Sequence, residues 1–247
     1  MTLTAEEITI CNLALGEVGE QSISSGRTSD KQYELCERFY SDALKEVLAE
    51  HNWNEAKTRT ILVQESTAPL FGFDYQFKLP SDCIKVVRLG DNNDWDHWEI
   101  ENGYLLTNVI QDPISWTTDI NFVEGQYCTL SSVTYLCNVS HTSATATSPA
   151  TDTTTWTTTG GDYSVLQVEY IYNLTDTSKW SPKLKQCVAQ KLAQKVIVGI
   201  TNNPKAKADL LNEYENLTIR KARSIDAQQG RIRPIFKSKW WNTRSSS

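Results

Sequence analysis

The chain has 247 residues, of which 39% are hydrophobic, and its formal net charge is −6. That hydrophobic fraction is enough for a buried core and excludes a disordered chain. No apolar run approaches the roughly 20 residues that cross a bilayer, so we expect no membrane partner. The N-terminal segment carries Glu6 and Glu7, whereas a signal peptide is basic and then apolar. We therefore expect the chain to be made in the cytosol.

Helices are predicted near the N-terminus. Thr4 and Glu7 have the spacing of a capping box, and the apolar stripe behind them predicts a helix over about residues 5–15. Asp30 is placed to cap a longer helix, which should end near His51. Both helices have one apolar face, so each needs a packing partner.

A second group of helices is predicted near the C-terminus. Ser181 is a suitable N-cap and Pro182 fits the first helical position. Apolar residues on this helix recur at Leu184, Val188, Leu192, Val196 and Ile200. Pro204 starts a further helix with Leu210, Leu211, Tyr214 and Leu217 on its expected buried side. We expect the helices of both chain ends to pack into one bundle, because no other apolar helical faces are available.

The region between these helices has the alternation and turns of β-structure. Strands are predicted in the later part of residues 52–63 and over residues 75–80, 84–89, 98–107 and 165–172, and the fourth of these is a hairpin that turns at Asn102 and Gly103. The fold class is therefore α+β, with a helical bundle from the N- and C-terminal helices, an antiparallel β region and a small inserted β-module.

Charge is unevenly distributed along the chain. No Lys or Arg occurs between Arg88 and Lys179. The same interval holds twelve acidic residues: Asp91, Asp94, Asp96, Glu99, Glu101, Asp112, Asp119, Glu124, Asp152, Asp162, Glu169 and Asp176. From Thr218 onward basic residues dominate, and such a tail is typical of a segment that contacts nucleic acid or an acidic protein surface, or of a solvated terminus.

Catalytic motifs are not found. The three histidines His51, His97 and His141 are far apart in sequence, and no nucleophile-elbow or phosphate-binding pattern occurs. A cluster of acidic residues and one histidine lies at Asp91, Asp94, Asp96, His97 and Glu99. It lacks the spacing and glycine of a calcium loop and reads as a solvated loop. The six cysteines form no CxxC pair and are expected to be small buried hydrophobes. We expect no catalytic residue, metal or cofactor, although two carboxylates brought together by folding could still hydrolyse a glycoside.

Four short stretches, taken in order, resemble the tail tubular protein A family, the head-to-tail adaptors of short-tailed bacteriophages. They are NLALGEVGE at 12–20, HNWNEAKTR at 51–59, LPSDC at 79–83 and NGY at 102–104. The junction at 176–182, followed by the helix that contains Leu192 and Ala193, also looks like the family's passage from its last strand to its C-terminal helices. The resemblance covers about residues 5–110 and 163–227.

This resemblance implies a structural virion protein that is assembled in the host cytoplasm and is located in the neck of the virion. Its copies would form a dodecameric ring that joins the portal protein to the tail nozzle protein and extends the channel through which DNA leaves the capsid. An acidic body would repel phosphate, so DNA would pass without sequence-specific binding. The resemblance therefore implies a partner set of portal, nozzle and further copies of the chain, and no enzyme activity.

The C-terminal tail is rich in basic and aromatic residues, a composition found in buried interface anchors. It is similar to the extended arms by which adaptors of this kind dock on the portal. The docking residues would be Arg231, Arg233, Pro234, Ile235, Phe236, Lys237, Lys239, Trp240 and Trp241. Packing on its own subunit and contact with DNA are the alternatives.

Residues 113–162 depart from the adaptor pattern. Their order of Trp116, an aromatic-x-x-Gly, a Tyr-x-Cys, His-Thr, Pro149 and Trp-x-x-x-Gly is similar to small chitin-binding-type carbohydrate-binding modules. Trp116, Tyr135 and Trp156 are the candidate sugar-stacking residues, which gives host-surface glycan binding as the alternative function. In a module of about 50 residues the same aromatics can instead form the core, which favours structural decoration or contact with a tail protein.

The sequence thus predicts five segments. They are N-terminal helices at 1–62, a β region at 63–112 and 163–180, an inserted module at 113–162, C-terminal helices at 181–227 and an extended arm at 228–247.

Overall fold

The structure, a computed structural model, describes residues 2–25, 29–90, 97–159, 161, 163–201 and 203–229. The chain divides into two compact units, one of Met1–Glu55 with Thr175–Ser247 and one of Ala56–Leu174. Helices and antiparallel sheets are both present, which confirms the α+β class. None of the helices in the described ranges combines the length and the apolar character needed to span a bilayer.

The first unit is helical and is formed by both ends of the chain. Its helices are α1 (Ala5–Val18), α2 (Lys31–Glu50), α3 (Pro182–Thr201), α4 (Pro204–Glu213) and α5 (Ile219–Gln228), with a π-helical turn at Tyr214–Thr218 between the last two. Helix α3 packs against both α1 and α2. Its buried residues include Leu184, Val188, Leu192 and Val196, as their spacing predicted.

Two helix starts in this unit follow the sequence signals in full, whereas Asp30 occupies the N-cap position of α2 without a side-chain cap hydrogen bond. Glu7 N donates to Thr4 Oγ1 at 3.3 Å and Thr4 N donates to Glu7 Oε2 at 2.8 Å, so the capping box ahead of α1 is complete. Leu184 N donates to Ser181 Oγ at 3.2 Å and caps α3. Each cap satisfies a backbone donor that has no partner within its own helix.

The last helical stretch differs from its expected face. Leu211 and Leu217 are 39% and 52% exposed, so the prediction that they lie on the buried side is wrong. Buried positions instead recur every fourth residue, at Leu210, Tyr214, Thr218, Ala222 and Asp226. That spacing is longer than the 3.6 residues of an α-helical turn, and the wider π turn accommodates it.

The described residues of the second unit form twelve strands. They are β1 (Lys57–Val63), β2 (Tyr75–Lys78), β3 (Cys83–Leu89), β4 (Trp98–Glu101), β5 (Tyr104–Thr107), β6 (Ile114–Ser115), β7 (Asn121–Phe122), β8 (Tyr127–Leu130), β9 (Val133–Cys137), β10 (His141–Thr142), β11 (Trp156–Thr158) and β12 (Val165–Tyr172). Strand β1 belongs here, so the unit boundary lies before residue 57 rather than at residue 62.

Two three-stranded antiparallel sheets form the base of this unit. Their strand orders are β1-β12-β3 and β2-β5-β4. The β4–β5 hairpin turns at Asn102 and Gly103, whose φ angles of 48° and 82° are those of a two-residue type I′ turn, as expected. One core joins the sheets and consists of Leu62, Phe77, Val86, Leu89, Leu105, Leu166, Val168 and Tyr170.

The inserted segment forms its own small sheets between β5 and β12. One has the order β11-β9-β8-β6 and the other pairs β10 with β7. The two connections to the base lie side by side, because Gln111 N donates to Val165 O and Val165 N donates to Gln111 O, both at 2.8 Å. The module therefore enters and leaves the base at neighbouring residues.

Candidate functional site

Trp156 is a core residue of the inserted module. It is 2% exposed, and its Nε1 donates to Thr147 O at 2.8 Å. Its ring meets Phe122 edge-on with ring centroids 5.0 Å apart, and Cys128 and Cys137 complete the same cluster. Trp156 is thus mainly a packing residue, although it also lines an open groove, and its role in stacking on a sugar stays a prediction.

Trp116 is also used by the module itself. Its half-buried side chain packs against the cluster of Phe122 and Trp156. The indole Nε1 is buried and has no hydrogen-bond partner among the described residues. Trp116 thus contributes to the packing of the module, and its role as a sugar ligand stays a prediction.

Tyr135 borders open space, in a groove that Trp156 also lines. It is half-buried and lines a groove of about 400 Å³ together with Val133, Pro149 and Thr158. An aromatic ring beside proline and threonine side chains offers the mixed apolar and polar surface that small ligands occupy. The module thus has a candidate ligand groove that brings together two of the three expected residues, Tyr135 and Trp156.

The N-terminal stretch of the adaptor resemblance lies at the end of α1. Asn12 Oδ1 accepts from Ile23 N at 2.7 Å, and Asn12 Nδ2 donates to Ile23 O at 3.1 Å. Gly19 ends the helix in the left-handed conformation with a φ of 78°. These residues fix the path of the chain where it leaves α1 and turns back beside the helix.

The second stretch joins α2 to α5. His51 Nε2 lies 2.8 Å from Asp226 Oδ2, and Asn54 N donates to Asp226 Oδ1 at 3.0 Å. The fully buried Trp53 donates from its Nε1 to Val47 O at 2.8 Å. Asp226 is therefore held from two sides, two residues before the predicted start of the C-terminal arm at residue 228.

The third and fourth stretches meet around one groove. A cavity of about 540 Å³ is lined by residues 78–81 and 83–85 from the β2–β3 connection and by Ile100 and residues 102–104 from the β4–β5 hairpin. We call it the hairpin groove. Its lining includes Lys78 and Lys85 and contains no carboxylate. Two stretches that are separate in sequence thus form a single surface feature.

An exposed apolar loop was not found by the sequence analysis. Leu70 is 98% exposed and Phe71 is 88% exposed, in the connection between β1 and β2. The loop is nevertheless anchored, because Gln76 Nε2 donates to Thr67 O at 2.6 Å and Phe73 stacks on His97 with ring centroids 5.1 Å apart. We call Leu70 and Phe71 the apolar tip. The sequence did offer one signal for this loop: the run PLFGF at residues 69–73 is apolar but shows neither helical nor strand periodicity.

The space beneath the apolar tip is acidic. The tip overhangs a cavity of about 530 Å³ whose lining includes Glu99 and Glu101 and no Lys or Arg. Glu99 and Glu101 lie on one face of β4, and the intervening Ile100 lies on the other and lines the hairpin groove. The two cavities are neighbours at the hairpin end of the β2-β5-β4 sheet, because Asn102 and Tyr104 line both of them.

A buried ion-pair network crosses the other base sheet. Glu169 on β12 accepts hydrogen bonds from Arg88 on β3 at 2.8 Å and from Arg59 on β1 at 3.0 Å. Burial raises the pKa of Glu169, but these two guanidinium groups lower it by more, so its pKa lies below the ordinary value. The carboxylate is ionised and links all three strands.

Groups suited to chemistry are sparse in the described part of the chain. Asp91, Asp94 and Asp96 lie outside the described residues, while His97 and Glu99 are exposed and 3.6 Å apart. No three His, Cys, Asp or Glu side chains among the described residues could together hold a metal ion. The six cysteines are free and five are buried, and burial raises the pKa of the half-buried Cys83 to about 11.

The expected arm residues, Arg231 to Trp241, lie outside the described residues. No protein-family model matches this chain, and neither does any curated protein.

Proposed function

We propose that this protein is a head-to-tail adaptor of a short-tailed bacteriophage, a structural virion protein that joins portal to tail nozzle as a dodecameric ring. The observation that carries the proposal is the use of the four resembling stretches within the fold. They end α1, join α2 to α5 and form the hairpin groove. Because these stretches form the junctions between elements, their resemblance to the adaptor family supports a resemblance in fold.

The placement of α5 supports docking through the C-terminal arm. Asp226 fixes the end of α5 against the turn at His51 and Asn54, so the arm would leave a defined point of the helical unit. A basic, aromatic arm that becomes ordered on a partner can cover a large surface from such an anchor. The proposed partner of the arm is the portal or a neighbouring copy.

The acidic composition of residues 89–178 supports DNA passage rather than DNA capture. This interval contains no Lys or Arg, and duplex DNA is attracted chiefly by basic side chains. A ring of such subunits would repel the phosphate backbone.

The test is the mass of the purified chain, alone and with the portal protein of the same phage, measured by light scattering after gel filtration. The full-length chain should be monomeric or weakly associated alone and should gain a ring-sized mass on the portal. A chain ending at Gln229 should not, whereas a control ending at Arg244, which removes only three serines, should behave as the full chain. A stable ring without portal would contradict the assembly order, and no association of the full chain would contradict the adaptor function.

Host glycan binding through the inserted module is the second candidate. The groove beside Tyr135 favours it, because this groove is bordered by an aromatic ring, a proline and hydroxyl side chains. It would be a property of the module alone and is compatible with the adaptor role.

A further inference from the structure

The apolar tip and the hairpin groove are two unexplained features of the same sheet. Leucine and phenylalanine side chains exposed by 98% and 88% are unusual on an anchored loop, because nothing in their own unit covers them. The hairpin groove is an open cavity of about 540 Å³ with Leu79, Pro80 and Ile100 in its walls. Its size is sufficient for two apolar side chains.

Charge is complementary between the two features. The tip is flanked by Glu99 and Glu101, with Glu65 and Asp74 at the base of its loop. The groove carries Lys78 and Lys85 and no carboxylate among its lining residues. Copies of a chain with a net charge of −6 repel one another, so a contact between copies needs a local pairing of opposite charges of this kind.

The tip and the groove are different patches of the same sheet, and their cavities share only Asn102 and Tyr104. A contact in which a patch of one copy meets a different patch of the next is heterologous, and repetition of such a contact closes into a ring when the rotation permits. The ring of the proposed function needs a contact of this kind.

We infer that Leu70 and Phe71 of one copy insert into the hairpin groove of the next copy, and that Glu99 and Glu101 face Lys78 and Lys85 across this contact. The inference rests on the proposed function, in which copies form a ring, and assigns the subunit interface of that ring. The occupant of the groove is therefore a second copy of this chain. Since only two side chains are inserted, the contact is weak between isolated copies and is reinforced when a template holds many copies together.

The first test replaces the tip in the full-length chain with L70S and F71S together. Self-association, measured by sedimentation at increasing concentration, should weaken about tenfold or more, as expected when central apolar anchors are removed. The matched control is V123S with V139S, which removes two apolar side chains that are 55% and 56% exposed on the inserted module. Circular dichroism should be unchanged in both variants, because none of these side chains is buried.

A mixing experiment tests the heterologous geometry. K78E with K85E should disable the groove and leave the tip intact, while L70S with F71S disables the tip and leaves the groove intact. A mixture should form dimers with one copy of each variant and nothing larger, because only one intact tip and one intact groove remain per pair. Larger species in the mixture, or no dimers, would overturn the inference.

A photoreactive benzoylphenylalanine in place of Phe71 identifies the contacted residues directly. Cross-links should reach residues 78–85 or 100–104, and a mixture of isotopically labelled and unlabelled chains should give mixed products. Cross-links confined to one chain would overturn the inference. Self-association that is unchanged by the tip substitutions, with portal binding intact, would overturn the inference and leave the adaptor function standing. Tip-dependent self-association without portal binding would do the reverse.

Discussion

At the scale of single residues, burial separates packing from binding in the inserted module. Trp156 and Tyr135 were equivalent candidates in the sequence and line the same groove, but Trp156 is 2% exposed whereas Tyr135 is only half-buried. Aromatic residues in small β-modules serve both purposes, and the one-dimensional pattern is the same for each. Only the position of the ring relative to the sheet distinguishes them.

Substitution of these two aromatics should therefore have opposite effects. Trp156→Ala should destabilise the module by about 3–5 kcal/mol, because it leaves a large cavity and an unpaired Thr147 carbonyl. Tyr135→Ala should leave the fold intact and abolish any binding to a glycan array shown by the parent protein. Val123→Ser, at an exposed position that does not line the groove, is the control. Glycan binding that survives Tyr135→Ala, or its absence in the parent, would exclude this groove as a sugar site.

Glu169 should make the stability of the protein depend on pH. Its pKa in the folded state is lowered from the ordinary 4.5 by Arg88 and Arg59 acting against burial. The sign follows from linkage: the stabilisation is complete above the unfolded-state pKa and is lost as the pH falls through the lower folded-state pKa. Glu169→Gln should lower the free energy of unfolding at pH 7 by about 2 kcal/mol and flatten its fall between about pH 5 and pH 3.

The measurement is urea unfolding of both proteins over that pH range. The exposed Glu124 provides a control, since Glu124→Gln should change neither the stability at pH 7 nor its pH dependence. An unchanged pH profile in Glu169→Gln would show that this carboxylate does not link the strands energetically.

At the scale of elements, the inserted module behaves as an addition to the base sheets. Its ends are joined by the paired hydrogen bonds of Gln111 and Val165, and every residue of the core that joins the base sheets lies outside residues 113–162. A connection that begins and ends at neighbouring residues can be shortened without moving the elements that it joins.

Removal of residues 113–162, with a Gly-Ser linker of about four residues in their place, should therefore leave a folded chain. Thermal unfolding followed by circular dichroism should remain cooperative, and association with the portal should persist while glycan binding is lost. The variant Leu166→Ala of the full chain is the reference for a damaged base core. It should lower the free energy of unfolding by about 2–5 kcal/mol. Loss of cooperative unfolding in the shortened chain would show that the module is an integral part of the base.

At the scale of the whole molecule, the chain forms one helical unit from its two ends and one β unit from its middle. In the proposed adaptor role, different parts of the chain contact different partners. The arm beyond α5 serves the portal, and the apolar tip and hairpin groove of the β unit serve the neighbouring copy. The portal and cross-linking experiments test these contacts separately, so that either can fail alone.

The sequence by itself determined the elements of this protein. The capping box at Thr4, the Ser181 and Pro182 helix start and the Asn102–Gly103 turn are local signals, and each is found where it was predicted because the physics that produces it acts within a few residues. The buried face of α3 was also predicted, because the spacing of its apolar residues places their side chains on one side of the helix.

Only the tertiary structure decided what these elements do for one another. It buried Trp156, shifted the stripe of the last helices away from Leu217 through a π turn, and brought residues 79–83 and 102–104 to one groove. It also left Leu70 and Phe71 exposed, which no local pattern indicates. Exposure and proximity depend on which distant segments pack together, and that information is distributed over the whole chain rather than written at the residues concerned.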